Sequence, residues 1–167
     1  VVVDRQSSRS GARGLFTLDN LWDGLGALAH ILPGLRYYYG KFTMYPTYPE
    51  AGRNMILYFL QKHFPDPDHL VYPFHPLETH TDREAMAALF DKKTFHDDYR
   101  VLNSEVRRLG YNIPPLVNAY MLLSPTMKTF GTAINDEFGD VEESGILITI
   151  DDIFADKHQR YIDSYEE

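Results

Sequence analysis

The sequence contains no cysteine, which excludes disulfide bonds, a thiol nucleophile and cysteine-ligated zinc or iron. It also contains no apolar run long enough to cross a bilayer. The lack of cysteine fits a reducing compartment, and we expect a cytoplasmic protein. Apolar residues nevertheless make up 44% of the 167 residues and aromatic residues 14%, which is typical of a globular chain with a substantial core.

Positive charge is scarce, because 16 Lys and Arg residues face 24 Asp and Glu residues and leave a formal net charge of −8. Nucleic-acid binding needs a broad basic surface, so we expect no nucleic-acid partner. The first 14 residues are the exception, since Arg5, Arg9 and Arg13 against Asp4 give a local net charge of +2. A confined basic segment favours one small anion or an acidic patch on a partner.

The hydrophobic pattern predicts a mixed α/β fold. Val1–Val3 has the character of a strand end, so we expect a single domain over residues 1–167 that lacks its N-terminal strands. The first strand, loop, helix and second strand should form a parallel unit with a right-handed crossover. Further along, we expect a helical insert over about 65–112, with a capping box opening at Thr81, and a last helix capped by Asp151 and Asp152. The other expected elements are a helix from Leu15 to Pro33, a strand over 37–44, a helix over 50–64, a helix from Pro114 to about Leu123, and strands over 129–134 and 145–150.

One short loop has the composition of a phosphate site. It reads Arg9-Ser10-Gly11-Ala12-Arg13-Gly14 and lies between the predicted first strand and first helix. Small residues allow phosphate to approach the backbone, and the N-terminus of a helix adds free N–H groups and partial positive charge. The common mononucleotide patterns GxxxxGK[ST] and GxGxxG are both absent. The alternative interpretation is a polar surface loop at a glycine-assisted helix start.

This hexapeptide resembles the R-x-x-[GA]-x-[GA] pyrophosphate loop of the GNAT acyltransferase superfamily. The stretch Asn54-Met55-Ile56-Leu57-Tyr58 resembles the region in which many of these enzymes place a tyrosine. A third stretch resembles the bacterial hemolysin group of GNAT proteins, which is related to the N-acyltransferases that begin ornithine- and glycine-lipid synthesis. Its matching positions are Pro114, Leu116, Tyr120, Ser124, Gly131, Ala133, Asp136 and Phe138. In this group the strand before the loop carries an acidic residue followed by Gly-Arg-Ser, whereas here only Val1-Val2-Val3-Asp4 precedes the loop, so no general base is assigned.

The resemblance implies a GNAT-like mixed sheet flanked by helices and an N-acyltransferase activity. The enzyme would move an acyl group, including 3-hydroxyacyl groups, from an acyl-carrier-protein or CoA thioester to a small amine in amino-acid-lipid synthesis. Arg9, Ser10, Gly11, Ala12, Arg13 and Gly14 would hold the phosphate of the phosphopantetheine donor. No metal is expected. Lipid products also imply a peripheral contact with the inner face of the membrane.

Two side chains are candidates for catalysis. Tyr58 would protonate the departing thiolate, and the alternative is a tyrosine packed on the sheet. Asp136 would orient the amine, and the alternative is an aspartate that stabilises a solvated turn.

Two other functions remain open from the sequence. A protein with this fold could be a non-catalytic binding or scaffold module. Imidazole and carboxylate groups also suit zinc or iron, which makes a metal protein the second alternative. The residues in question lie between positions 63 and 96: His63, His69, His75, His80 and His96, with Asp66, Asp68 and Asp82 among them.

Overall fold

A computed structural model describes residues 22–162. It confirms a mixed α/β protein and is consistent with a GNAT-like fold. The chain divides into two compact units. One unit is Tyr38–Ile148, and the other combines the residues before and after it. The expectation of a single domain stays a prediction.

The Tyr38–Ile148 unit is built on a three-stranded sheet. Its strands are β1 (Tyr37–Met44), β2 (Lys128–Asn135) and β3 (Val141–Thr149), in the order β1-β3-β2. β2 and β3 are antiparallel, with Lys128 opposite Leu147 and Asn135 opposite Val141, and their register shifts between Thr129 and Thr132. Along β3, Ser144, Ile146 and Ile148 are buried and alternate with partly exposed residues, as the two-residue period of a strand requires.

Four helices belong to this unit. They are α2 (Glu50–His63), α3 (Arg83–Leu89), α4 (Phe95–Arg108) and α5 (Pro115–Met121). The core between α2 and α4 is rich in aromatic side chains, because Phe59 contacts the rings of Phe90, Phe95 and Tyr99 at centroid distances of 5.5 to 6.4 Å. Between α2 and α3 the chain follows the irregular course that its prolines predict. We refer to residues 65–82 as the proline-rich excursion.

Helix α2 is joined to the sheet by polar contacts at both of its ends. Near its start, the buried Arg53 forms an ion pair with Glu142 of β3 and also contacts Glu50 and Asn54. Near its end, the backbone N–H and the hydroxyl of Thr129 in β2 both donate to the carbonyl oxygen of Phe64, at 2.8 Å each. These contacts hold the helix surface at a defined position over the strands.

In the other unit, residues 22–31 form the helix α1, which ends before Pro33 as predicted. A single 3₁₀ turn, Ile150–Asp152, leads to α6 (Ala155–Tyr161). The N–H of Ile150 donates to the carbonyl oxygen of Arg36 at 3.0 Å. None of the helices found within residues 22–162 combines the length and the apolar character needed to span a membrane.

Two predicted helix caps are wrong. The cap of α3 is Asp82 rather than Thr81, because the Asp82 carboxylate accepts from the N–H of Ala85 at 3.0 Å. Asp151 and Asp152 belong to the 3₁₀ turn and do not cap α6, which begins three residues later. In both cases the path of the preceding chain decides which residue caps the helix, and the sequence does not reveal that path. The parallel opening unit involves Val1–Val3, which lie outside the described residues.

Candidate functional site

A cavity of about 460 Å³ lies within the Tyr38–Ile148 unit, lined by residues of α2, the sheet and the proline-rich excursion. A volume of this size is typical of small-molecule sites. Three prolines and several aliphatic residues form apolar parts of its wall, and polar side chains interrupt them. The polar lining residues on which the site's chemistry depends are Asn54, Tyr58, Gln61, Asp66, His69, Arg83, Thr132 and Ser144.

Helix α2 contributes three polar side chains to one side of the cavity. Asn54, Tyr58 and Gln61 are spaced four and three residues apart, so they share one helix face. The ring of Tyr58 stacks on Phe90, with the centroids 5.9 Å apart and the planes at 18°. This packing fixes the ring of Tyr58. The structure therefore places the predicted tyrosine in a cavity wall, packed on Phe90 at the end of α3, and its role in proton transfer stays a prediction.

The sheet contributes a pair of hydroxyl groups. Thr132 of β2 and Ser144 of β3 are directly opposite in the register, and their oxygens lie 2.6 Å apart. Ser144 is 1% exposed, and this short contact holds its hydroxyl in place. The pair supplies a fixed hydrogen-bonding surface at the sheet side of the cavity.

The proline-rich excursion contributes a carboxylate. Oδ2 of Asp66 accepts from the backbone N–H of Leu70 at 2.6 Å and of Val71 at 3.4 Å, which closes a turn over residues 66–71. Further along, the N–H of Leu77 donates to the carbonyl oxygen of Thr132 at 2.7 Å and fastens the excursion to β2. The excursion is thus a fixed wall of the cavity.

Asp136 is placed elsewhere. It opens the 3₁₀ turn Asp136–Phe138 between β2 and β3, and it is exposed. It is not among the residues that line the cavity beside Tyr58. The structure therefore does not bring the two predicted catalytic residues to one cavity, and the role of Asp136 stays a prediction.

The predicted phosphate loop, Arg9 to Gly14, lies outside the described residues.

Among the described residues, several members of the third matching stretch have packing roles. Pro114 precedes the first turn of α5, and Ser124 is fully buried with its hydroxyl accepting from the N–H of Thr126 at 3.3 Å. Burial raises the pKa of Tyr120, which keeps its phenol neutral.

The histidines between positions 63 and 96 do not form a metal-binding cluster among the described residues. Nε2 of His63 donates to the fully buried carboxylate of Asp98 at 2.8 Å, and the ammonium group of Lys62 donates to the same oxygen at 2.6 Å. This group joins α2 to α4 and explains His63 as a structural residue. Across residues 22–162, no three histidine, aspartate or glutamate side chains form a group that could hold a metal ion.

Sequence reasoning assigned no role in acyl transfer to Asp66, Thr132 or Ser144. Asp66 could have been noticed from its place in Pro65-Asp66-Pro67-Asp68. In such turn-forming segments an aspartate side chain often accepts hydrogen bonds from nearby backbone N–H groups. The sequence gives no indication of the Thr132–Ser144 hydroxyl pair, because the two residues belong to different strands and meet only through the register of β2 and β3.

Two curated N-acyltransferases are homologous to this chain, which confirms the acyltransferase resemblance. One is the glycine N(alpha)-acyltransferase of Bacteroides thetaiotaomicron, which is 60% identical over 167 residues, covering 100% of this chain and 50% of the relative. The other, of the same name, is from Phocaeicola vulgatus and is 60% identical over 165 residues, covering 99% of this chain and 51% of the relative. The chain spans about half the length of these curated relatives. No family model and no solved structure matches it.

Proposed function

We propose that this chain is part of an N-acyltransferase that transfers an acyl group from a thioester to the α-amine of glycine. The observation that supports this most strongly is the 60% identity over the whole chain to two proteins named glycine N(alpha)-acyltransferase. The cavity beside Tyr58 adds a site of suitable size for the reacting groups. The product, an N-acylglycine, would enter amino-acid-lipid synthesis.

The chemistry requires one bond to form and one to break. The amine nitrogen attacks the thioester carbonyl carbon, the C–N bond forms, and the C–S bond breaks to release a thiolate. Starting from the ammonium form of glycine, two protons leave nitrogen, one is taken up by the thiolate, and one goes to solvent. Tyr58 is placed in the cavity wall, and in this proposal its phenol gives the proton to the departing thiolate.

The donor is an acyl thioester of acyl carrier protein or CoA, held through its phosphate. In this proposal Arg9 and Arg13 supply charged donors, and Ser10, Gly11, Ala12 and Gly14 let the phosphate approach the backbone. An acidic carrier protein would also meet the basic segment that contains Arg5, Arg9 and Arg13.

Exposed apolar side chains support a membrane location for the reaction. In the proline-rich excursion, Leu70 is 55% exposed, Tyr72 69% and Phe74 89%. Aromatic and aliphatic side chains exposed together are suited to the interface of a bilayer, where a long-chain N-acylglycine would be released. We place the protein in the cytoplasm, at the inner face of the membrane.

The direct test incubates the full encoded protein with acyl carrier protein or CoA thioesters and an amino acid, and detects N-acyl product by mass spectrometry. Released thiol can be followed at the same time, with a reaction that lacks the amine as the blank. We expect N-acylglycine, with less product from alanine, serine or ornithine. Failure to acylate any amine would contradict the proposal and favour a non-catalytic module.

The donor site is tested by Arg9→Ala and Arg13→Ala, with Arg5→Ala as the matched control outside the hexapeptide. Loss of one charged hydrogen bond to phosphate should raise the KM for the donor by about ten- to a hundredfold. Arg5→Ala should change it by about twofold or less, as expected for one screened charge. Equal effects at all three positions would argue for a diffuse charge effect instead of a phosphate site.

A further inference from the structure

The carboxylate of Asp66 has two oxygens in different situations. Oδ2 closes the turn over residues 66–71 by accepting from Leu70 and Val71. Oδ1 is buried and has no hydrogen-bond partner among the described residues. The side chain as a whole is only 7% exposed, and Asp66 lines the cavity.

The turn does not explain the buried oxygen. One acceptor is sufficient to close it, and an uncharged asparagine supplies such an acceptor. A buried carboxylate oxygen without a hydrogen-bond donor is costly, and such groups in folded proteins have a reason to exist. The unsatisfied oxygen of Asp66 therefore requires a donor other than the described protein groups, which is either water or a ligand.

The local charge favours a cation. The ammonium group of Lys128 lies 3.9 Å from Asp66 Oδ1, which is beyond hydrogen-bonding distance, and it contacts the carboxylate of Asp68 more closely. Two carboxylates against this one ammonium leave an excess of one negative charge in this group. Arg83 also lines the cavity, but no ion pair joins it to Asp66 or Asp68 among the described residues. A cationic donor at Oδ1 would both neutralise that excess charge and donate a hydrogen bond to the unpaired oxygen.

The backbone beside Asp66 adopts an unusual conformation. His69, which also lines the cavity, has a φ of 49°, in the left-handed region that non-glycine residues rarely adopt. Its strained position follows directly from the turn that Asp66 closes, since the N–H of His69 donates to the carbonyl oxygen of Asp66 at 3.3 Å. Strain of this kind persists where the surrounding structure enforces it, often at ligand sites.

We infer that Asp66 Oδ1 receives the ammonium group of the amine acceptor, which makes this cavity the acceptor site of the proposed N-acyl transfer. The inference rests on the proposed function for the identity of the ligand, a small primary amine. It is carried by the unpaired oxygen, the cavity and the local charge, all within one unit of the structure. Tyr58 lines the same cavity, so the acceptor nitrogen and the phenol would share one site.

The test compares Asp66→Asn with Asp68→Asn. The first keeps an oxygen that can accept from Leu70 and Val71 but removes the charge at Oδ1. The second removes the same charge beside the same lysine from a side chain that is 62% exposed. We expect Asp66→Asn to raise the KM for glycine by about ten- to a hundredfold, with the KM for the donor and the melting temperature little changed. Asp68→Asn should change the KM for glycine by about twofold or less.

Direct binding separates this inference from the proposed function. Calorimetry of the unmodified protein and Asp66→Asn with glycine, and with glycolate as a probe that lacks the ammonium group, needs no turnover. Binding of glycine that depends on Asp66, in a protein that makes no N-acyl product, would support the ammonium site and contradict acyl transfer. Normal turnover with an unchanged KM for glycine in Asp66→Asn would overturn the ammonium site and leave acyl transfer standing. A parallel loss of glycine affinity, donor affinity and melting temperature would also overturn it, as a purely structural effect.

Discussion

Gly131 of β2 lies against the ring of Pro73, so closely that a Cβ atom on Gly131 would stand 2.5 Å from Pro73 Cδ and 2.9 Å from Cγ. Both residues line the cavity. The missing side chain lets the proline-rich excursion rest directly on the strand, one residue from the hydrogen bond between Leu77 and Thr132. The contact gives a packing reason for the glycine at this position of the third matching stretch.

We expect Gly131→Ala to displace the excursion, because a proline ring cannot rotate away from the new methyl group. Overpacking of this kind costs about 1–3 kcal/mol and would lower the melting temperature by several degrees. The kcat/KM for glycine should fall about tenfold as the wall of the cavity moves. Differential scanning fluorimetry and steady-state kinetics measure both effects. Gly24→Ala is the control, since a Cβ there meets nothing within 4 Å. Because Gly24 lies in helix α1, this change should leave kcat/KM nearly unchanged and raise the melting temperature instead of lowering it.

Tyr58→Phe tests the proposed proton donor. The ring still stacks on Phe90, so stability should change little, whereas kcat should fall by about a hundredfold if the phenol protonates the thiolate. A thioester of a more acidic thiol needs no such proton, and with it the variant should approach the activity of the unmodified enzyme. An equal loss with both donors would assign Tyr58 to packing or to substrate binding.

Phe74→Ser tests the proposed membrane contact. Removing one inserted phenylalanine costs about 1.5–3 kcal/mol of transfer free energy, which corresponds to a loss of about tenfold or more in partitioning. Flotation with phosphatidylcholine vesicles measures it and avoids the repulsion that anionic lipid exerts on a chain of net charge −8. The control is Phe138→Ser, which alters another phenylalanine that is 67% exposed, in the turn between β2 and β3. Equal binding by all three proteins would remove the support for a membrane contact through the excursion.

Asp98 predicts how stability depends on pH. Burial alone would raise the pKa of its carboxyl, but hydrogen bonds from Lys62, His63 and the N–H of Lys92 outweigh burial and hold the pKa below its ordinary value of 3.8. A lowered pKa in the folded state means that the stabilisation is complete above about pH 4 and is lost as the pH falls through the folded-state pKa. At neutral pH, Asp98→Asn should lower the free energy of unfolding by about 3 kcal/mol.

Urea denaturation at several pH values checks this expectation. The difference between the unmodified protein and Asp98→Asn should be constant near neutrality and shrink below about pH 4. Glu105→Gln, which alters an ion pair on the surface of α4 with the exposed Arg108, should cost about 1 kcal/mol or less. A difference that grew in acid would contradict the assigned pKa direction.

Much of the fold could be predicted from local patterns. The strand over 37–44 and the helix from Glu50 were predicted with their boundaries nearly correct, because Pro46, Pro49 and Pro65 end or begin elements by chain geometry alone. Two helix caps were missed: Asp82 at the start of α3, and Thr94 at the start of α4, where its hydroxyl accepts from the N–H of Asp97 at 3.1 Å. Several neighbouring residues could fill each role, and the path of the chain selects one. Tyr58 could be found from a resemblance on one helix, whereas the free oxygen of Asp66 becomes visible only when its hydrogen bonds are counted in space.

The amino-acid sequence by itself determined the alternation of buried and exposed residues, the breaks at proline and glycine, the acidic charge and the resemblance to acyltransferases. These properties depend on residue type and on spacing along the chain, which short-range sterics and solvation convert into helices and strands. Only the tertiary structure decided that Tyr58, Asp66 and the Thr132–Ser144 pair share one cavity. They come from separate segments, and the packing of the excursion on β2 and the register of the sheet bring them together.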